Sequence, residues 1–106
     1  MPERRRYPRL EAKLPVTLRH QGRFIPATLL NISCGGVRII ADDSIFSLTT
    51  PVEMIFDLDE SHRDVSLRGR ITRATSGPMG DLGIQFSNLF SESHRAVEDF
   101  LKQHLN

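Results

Sequence analysis

The chain has 106 residues, 39% of them hydrophobic and 25% charged, enough for one hydrophobic core and too few for two. A formal net charge of +1 excludes the broad basic field of a general nucleic-acid binder, and the single cysteine, Cys34, excludes an internal disulfide and suits a reducing, cytoplasmic compartment. No signal-peptide apolar region follows the first ten residues, and no apolar run approaches the ~20 residues of a membrane span, so no membrane insertion is expected.

Residues 1–13 have little apolar periodicity and two prolines, Pro2 and Pro8, which marks an arginine-rich N-terminal arm leading into a domain over residues 14–106. Over residues 14–20, Val16 and Leu18 alternate with Thr17 and Arg19, the period of two that gives a strand one buried and one wet face. Gln21-Gly22 is a turn. Residues 23–30 continue the strand pattern, with Pro26 expected at an edge or bulge because it cannot donate to a ladder. Turn-forming residues interrupt over 31–36, and Val37, Ile39 and Ile40 resume the pattern up to Ala41.

After a connection over residues 42–51, Val52, Met54, Phe56 and Leu58 alternate with Glu53, Ile55 and Asp57 in a half-buried strand. Val65, Leu67, Gly69 and Ile71 alternate with Ser66, Arg68, Arg70 and Thr72 in the next. Residues 76–81 read as a glycine-rich hairpin loop and Leu82, Ile84 and Phe86 as the last strand. The period then changes. Ser91 suits a helix N-cap, Glu92 suits the positive helix end, and Val97, Phe100, Leu101 and Leu105 follow helical spacing, predicting a helix over about 91–105. About six short strands with no helices between them imply an antiparallel barrel or sandwich, since parallel strands would need long crossovers.

Arginines dominate the basic residues, and Arg4, Arg5, Arg6 and Arg9 crowd the first ten positions. A guanidinium presents a planar fork that grips a phosphate or a guanine edge in two places, which lysine cannot do. Pro8 pushes Tyr7 toward an extended form, and a spacing of four places Arg5 and Arg9 on one side of such an arm. By itself this run fits a solvated tail equally well. Asn31-Ile32-Ser33-Cys34-Gly35-Gly36 supplies two side chains able to bond a base edge or their own backbone, beside paired glycines that allow close approach; alone, it also fits an ordinary turn.

Catalytic constellations are scarce. Ser33 and Cys34 have no nucleophile-elbow sequence around them, and His20, His62, His94 and His104 are scattered, show no zinc-ligand spacing, and read as surface or helix residues. There is no glycine-rich phosphate loop with its lysine. The chain is therefore not expected to be an enzyme, and no cofactor is implied.

Together, Arg5-x-x-x-Arg9, a strand pair, and Asn31-x-Ser33-x-x-Gly36 resemble the PilZ domain family. Arg68-Gly69-Arg70-Ile71, Leu82-Gly83-Ile84-Gln85-Phe86 and the closing helix resemble its second half. The resemblance implies an all-β fold, a six-stranded antiparallel barrel with a C-terminal helix packed against it, that binds cyclic di-GMP. It implies that Arg5 and Arg9 grip phosphates and guanine edges, that Asn31 and Ser33 bond a guanine, and that Gly35 and Gly36 belong to the ligand turn, with Gly36 keeping it open. Asn31 stands where the family often has Asp, which could accept from both guanine N1 and N2. Arg4 occupies a place that the resemblance associates with two stacked ligand molecules.

The resulting expectation is a second-messenger receptor whose arm orders on binding and signals to an unidentified downstream protein. The alternatives are a PilZ-like protein adaptor that binds no nucleotide, and an RNA or single-stranded DNA binder. The latter is disfavoured by the absence of tryptophan, with only Tyr7 beside the arm for stacking.

Overall fold

A computed structural model describes residues 8–41, 48–75 and 80–105. The strands are β1 (Leu10–His20), β2 (Arg23–Ile32), β3 (Gly36–Ala41), β4 (Pro51–Phe56), β5 (Val65–Ala74) and β6 (Gly80–Phe86), followed by helix α1 (Glu92–Leu105). Every ladder is antiparallel, and the sheet closes on itself in the order β1-β2-β3-β6-β5-β4. Closure is what lets so short a chain avoid exposed sheet edges.

The barrel interior is filled by the alternate residues of each strand, among them Leu18, Leu29, Ile39, Met54, Leu67, Ile71 and Ile84, all buried. The strand periodicity therefore reads directly as inside and outside. β1 begins at Leu10, four residues before the alternation of residues 14–20 suggests: Leu10 and Ala12 are half-buried, Glu11 and Lys13 face out, and Leu10 pairs with Ile32. β2 runs on to Ile32, taking in Asn31. β4 stops at Phe56, although Leu58 stays buried where its N–H donates to the His62 carbonyl at 2.9 Å. Pro26 lies just beyond the last β2–β3 pair, Ala27 with Ala41, so no described ladder on that side needs its missing N–H.

Three ladders change register. β1 gains a residue on β2 between Glu11 and Leu14, β2 gains one on β3 between Leu29 and Asn31, and β5 gains one on β6 between Ile71 and Arg73. A bulge shifts the in-out phase of everything beyond it. In strict alternation Asn31 would follow Leu29 into the core, and Arg73 would follow Ile71. Instead Leu30 and Asn31 both lie toward the outside before Ile32 returns to the core, and Thr72 and Arg73 are both exposed.

Helix α1 packs against β5 and β1. Ser91 caps it, its Oγ accepting from the His94 N–H at 3.0 Å. His94, Val97, Phe100 and Leu101 form the buried face. Burying the three apolar members contributes about 1.5–3 kcal/mol each.

Candidate functional site

The bulged strands bring their outward side chains to one place. A groove of about 640 Å³ is lined by Arg9, Glu11, Ala12, Lys13, Leu30, Asn31 and Arg38, and an adjoining one of about 290 Å³ adds Val37, Thr72, Arg73 and Gly83 to the shared Arg9, Asn31 and Arg38. Arg9 precedes β1, and its guanidinium donates to Asn31 Oδ1 at 2.7 Å. A guanidinium has only donors, so the Asn31 amide must turn its oxygen toward Arg9, leaving its NH₂ to donate elsewhere. Arg38, the cross-strand neighbour of Asn31, grips Asp81 of β6 with two nitrogens, Nε at 3.1 Å from both carboxylate oxygens and NH2 at 2.6 Å from Oδ2. Arg73 reaches the same carboxylate at 3.5 Å. The Arg38 hydrogen bonds foremost, with the charges of Arg38 and Arg73, hold the Asp81 carboxyl below its ordinary range, and the same bonds raise the Arg38 guanidinium in turn. Asp81 thus keeps two cations aligned along the groove while cancelling one of their charges.

Beside the groove, residues 33–36 form a tight turn from β2 to β3. The Ser33 hydroxyl is buried and accepts from the N–H groups of Gly35 at 3.1 Å and Gly36 at 3.2 Å, filling both of its lone pairs. Its own proton points at the Gly36 carbonyl, 3.4 Å away. The hydroxyl that the family resemblance assigns to a guanine is therefore engaged in shaping the turn. Three successive carbonyls are anchored by three different parts of the chain: Cys34 by the His94 imidazole at 2.6 Å, Gly35 by the Phe86 N–H at 2.9 Å, and Gly36 by the Ser33 N–H at 2.9 Å. Gly36 acts by close approach, since a Cβ there would sit 2.2 Å from the Ile84 carbonyl oxygen of β6. Cys34 is half-buried, and burial, aided by Glu98 and opposed by Lys102, pushes its thiol up and away from the reactive thiolate.

Of the residues singled out in the sequence, Arg9 and Asn31 meet in the groove, while Ser33, Gly35 and Gly36 form the turn that borders it. Arg4, Arg5 and Arg6 lie outside the described residues, as does residue 7 of the expected arm. Residues 10–13, assigned to the arm from sequence, belong to β1. Arg38 and Arg73, which line the groove, and Asp81, which anchors them, are residues that the sequence patterns do not single out. Arg38 is the most accessible of these to such reasoning, standing between inward Val37 and Ile39. His94 lies in a helix as read, but on its buried face, with its side chain only 4% exposed, whereas the reading of His62 as a surface or helix residue needs correction, because it lies outside the helix with its side chain only 9% exposed. The signal for His94 is its spacing of three and seven from Val97 and Leu101, which places it on the buried stripe.

Among the described residues, no group of three or more His, Cys, Asp or Glu could hold a metal ion, and no helix is long and apolar enough to cross a membrane.

A closed six-stranded antiparallel barrel with a flanking C-terminal helix, carrying an arginine- and amide-lined groove beside a glycine turn, defines a narrow class of small all-β domains. The PilZ domain family model matches residues 3–103, and the chain belongs to that family. Solved structures with the same fold include the Bacillus subtilis inhibitor of motility MotI/DgrA, at TM-score 0.79 and 22% identity over 98% of this chain and 53% of that one. The PilZ domain of Escherichia coli YcgR with c-di-GMP matches at TM-score 0.76 and 14% identity, over 95% of this chain and 91% of that one. The K. pneumonia MrkH–c-di-GMP complex matches at 0.77 and 14%, over 97% and 53%. The chain spans about half the length of MotI/DgrA and of MrkH, and these identities show the fold alone. A comparison with curated proteins finds no match.

Proposed function

We propose that this protein is a cyclic di-GMP receptor that acts without catalysis, in the cytoplasm, by presenting an altered surface to a downstream protein. The observation that carries the reading is the meeting of Arg9, Asn31 and Arg38 in one outward groove beside the turn of residues 33–36, on a PilZ barrel. The ligand has two phosphodiesters and two guanines, which call for forked cations and for amide groups at base edges. Arg9 supplies a fork and Asn31 an NH₂ donor. Two of the similar structures, those of YcgR and MrkH, are complexes with c-di-GMP, which supports the same ligand here.

In this reading Arg5 joins Arg9 on the ligand, and Arg4 favours a second, stacked molecule. The arm of residues 4–9 orders over the groove as the ligand enters, and that ordering is the signal. Each arginine's charge-assisted bonds are worth about 1.5–3 kcal/mol, a large share of the ~8 kcal/mol of a micromolar complex.

Calorimetric titration of cyclic di-GMP tests this, with Arg5→Ala/Arg9→Ala and cyclic di-AMP as controls. Saturable heat with wild type and the guanine ligand only is the expected result, and two ligands per chain would support the role of Arg4. No heat with wild type at high ligand overturns the receptor reading in favour of a nucleotide-independent adaptor.

A further inference from the structure

We infer that His94 of α1 is a positioning residue for the ligand turn, and that through it the occupancy of the groove is felt by the C-terminal helix. The inference rests on the cyclic di-GMP reading for its ligand, but its structural half stands on the geometry of the turn itself. The imidazole is buried, 4% exposed, and its Nε2 lies 2.6 Å from the Cys34 carbonyl. A carbonyl only accepts, so Nε2 carries the proton. The other nitrogen, Nδ1, is buried with no hydrogen-bond partner, and the Glu98 carboxylate lies 3.8 Å from it. The ring also meets Phe86 edge-on, at 5.7 Å between centroids and 81°.

Phe86 is itself a second anchor of the turn, its N–H bonded to Gly35. His94 and Phe86 thus support one another while each holds a neighbouring carbonyl of the turn. Cys34 stands between Ser33, which orders the Gly35 and Gly36 amides, and β3, which carries Arg38 to the groove. A rotation of the Cys34 peptide has to move those groups together. A ligand that seats on Asn31 and the turn therefore shifts an acceptor held directly by α1. The coupling is reciprocal: whatever displaces α1 changes affinity in the groove by the same factor.

The test compares wild type with His94→Phe, which keeps a ring against Phe86 but has no donor, and His94→Gln, whose side-chain amide offers a donor at about the reach of Nε2. Cyclic di-GMP affinity is measured by calorimetry, amide exchange is followed at residues 33–36 without ligand, and long-range ¹H–¹⁵N spectra report the His94 nitrogens. The expected result is a proton on Nε2 whose signal moves on ligand addition. His94→Phe should lose about tenfold in affinity and exchange its Gly35 and Gly36 amides faster, while His94→Gln stays near wild type in both. A folded His94→Phe protein with wild-type affinity and exchange overturns the inference. Should that variant fail to fold, the wild-type spectra decide: an Nε2 without a proton, or an Nε2 signal indifferent to saturating ligand, overturns it, and a shifted Nε2–H signal supports it. If wild type binds no cyclic di-GMP, the receptor reading falls alone, and the exchange comparison still decides whether His94 holds the turn.

Discussion

The ladder between β4 and β5 and the ladders from β1 through β3 are built from the same kinds of residue, yet only the first keeps perfect register, from Pro51 opposite Arg70 to Phe56 opposite Val65. The β1–β2 and β2–β3 ladders each slip by a residue, and so does β5 on β6. On the regular side the outward charges neutralise one another across the strands: Glu53 takes Arg19 at 3.0 Å and Ser66 at 2.7 Å. On the bulged side they are gathered into a groove around Arg9, Asn31 and Arg38. The slips in phase are what turn Asn31 and Arg73 outward to join Arg38.

The sharpest way to break this contrast is at Gly36, where the turn meets the β6 backbone. Gly36→Ala would place its methyl 2.2 Å from the Ile84 carbonyl oxygen, and should cost about 3 kcal/mol or more in urea unfolding. Gly22, in the β1–β2 hairpin, has nothing within 4 Å of its would-be Cβ and only a φ of 77° to preserve, so Gly22→Ala should cost about 1 kcal/mol. Equal losses would show that the close approach of β3 to β6 is not what Gly36 serves.

Next in size is binding. Arg9→Ala should weaken cyclic di-GMP by about tenfold or more while leaving Tm within a few degrees, because its groove partner is a surface amide. Ser33→Ala removes the acceptor of two turn amides from a buried position and should cost about 1–2 kcal/mol of stability. Wild-type stability in that variant would mean that water replaces the hydroxyl.

The second tie of α1 to the barrel is electrostatic and makes a pH prediction. His62 lies between Asp99 of the helix, 2.8 Å from Nε2, and Asp59 of the β4–β5 connection, 2.7 Å from Nδ1. Only the imidazolium can donate to both. These bonds, Asp99's first, raise the His62 pKa above its ordinary 6.5. Its stabilisation is therefore complete below about pH 6.5 and fades as pH rises through the folded value. Burial works to raise the Asp59 carboxyl, but the bonds from His62 and the backbone N–H groups outweigh it, so that contribution is lost as pH falls through a value below 3.8. Tm should fall from pH 6 to 8 more steeply in wild type than in His62→Gln, and parallel curves would count against the clamp. The smallest effect is expected on the regular face: Arg19→Ala breaks an ion pair whose arginine is 55% exposed, and should change stability by no more than about 0.5 kcal/mol and binding not at all.

Much of this molecule is legible in its residue order. Strand alternation and helical spacing are local properties, so the strands, the closing helix and its Ser91 cap can be read along the chain, and so can the residue types of the groove and turn. The family resemblance adds the choice of a barrel over a sandwich and the placing of Arg9 and the Asn31 turn at one site. What residue order does not say is where the phase of a strand slips. Leu29-Leu30-Asn31-Ile32 and Ile71-Thr72-Arg73 acquire their bulges only against particular partner strands, and those bulges decide that Asn31 and Arg73 face the groove rather than the core. The same holds for Ser33, whose hydroxyl could serve a ligand or its own backbone until the turn is folded, and for His94, whose ring finds the Cys34 carbonyl sixty positions away. Periodicity is written along the chain, whereas register and long-range hydrogen bonding depend on which strand or helix lies opposite, and that is settled only when the barrel closes.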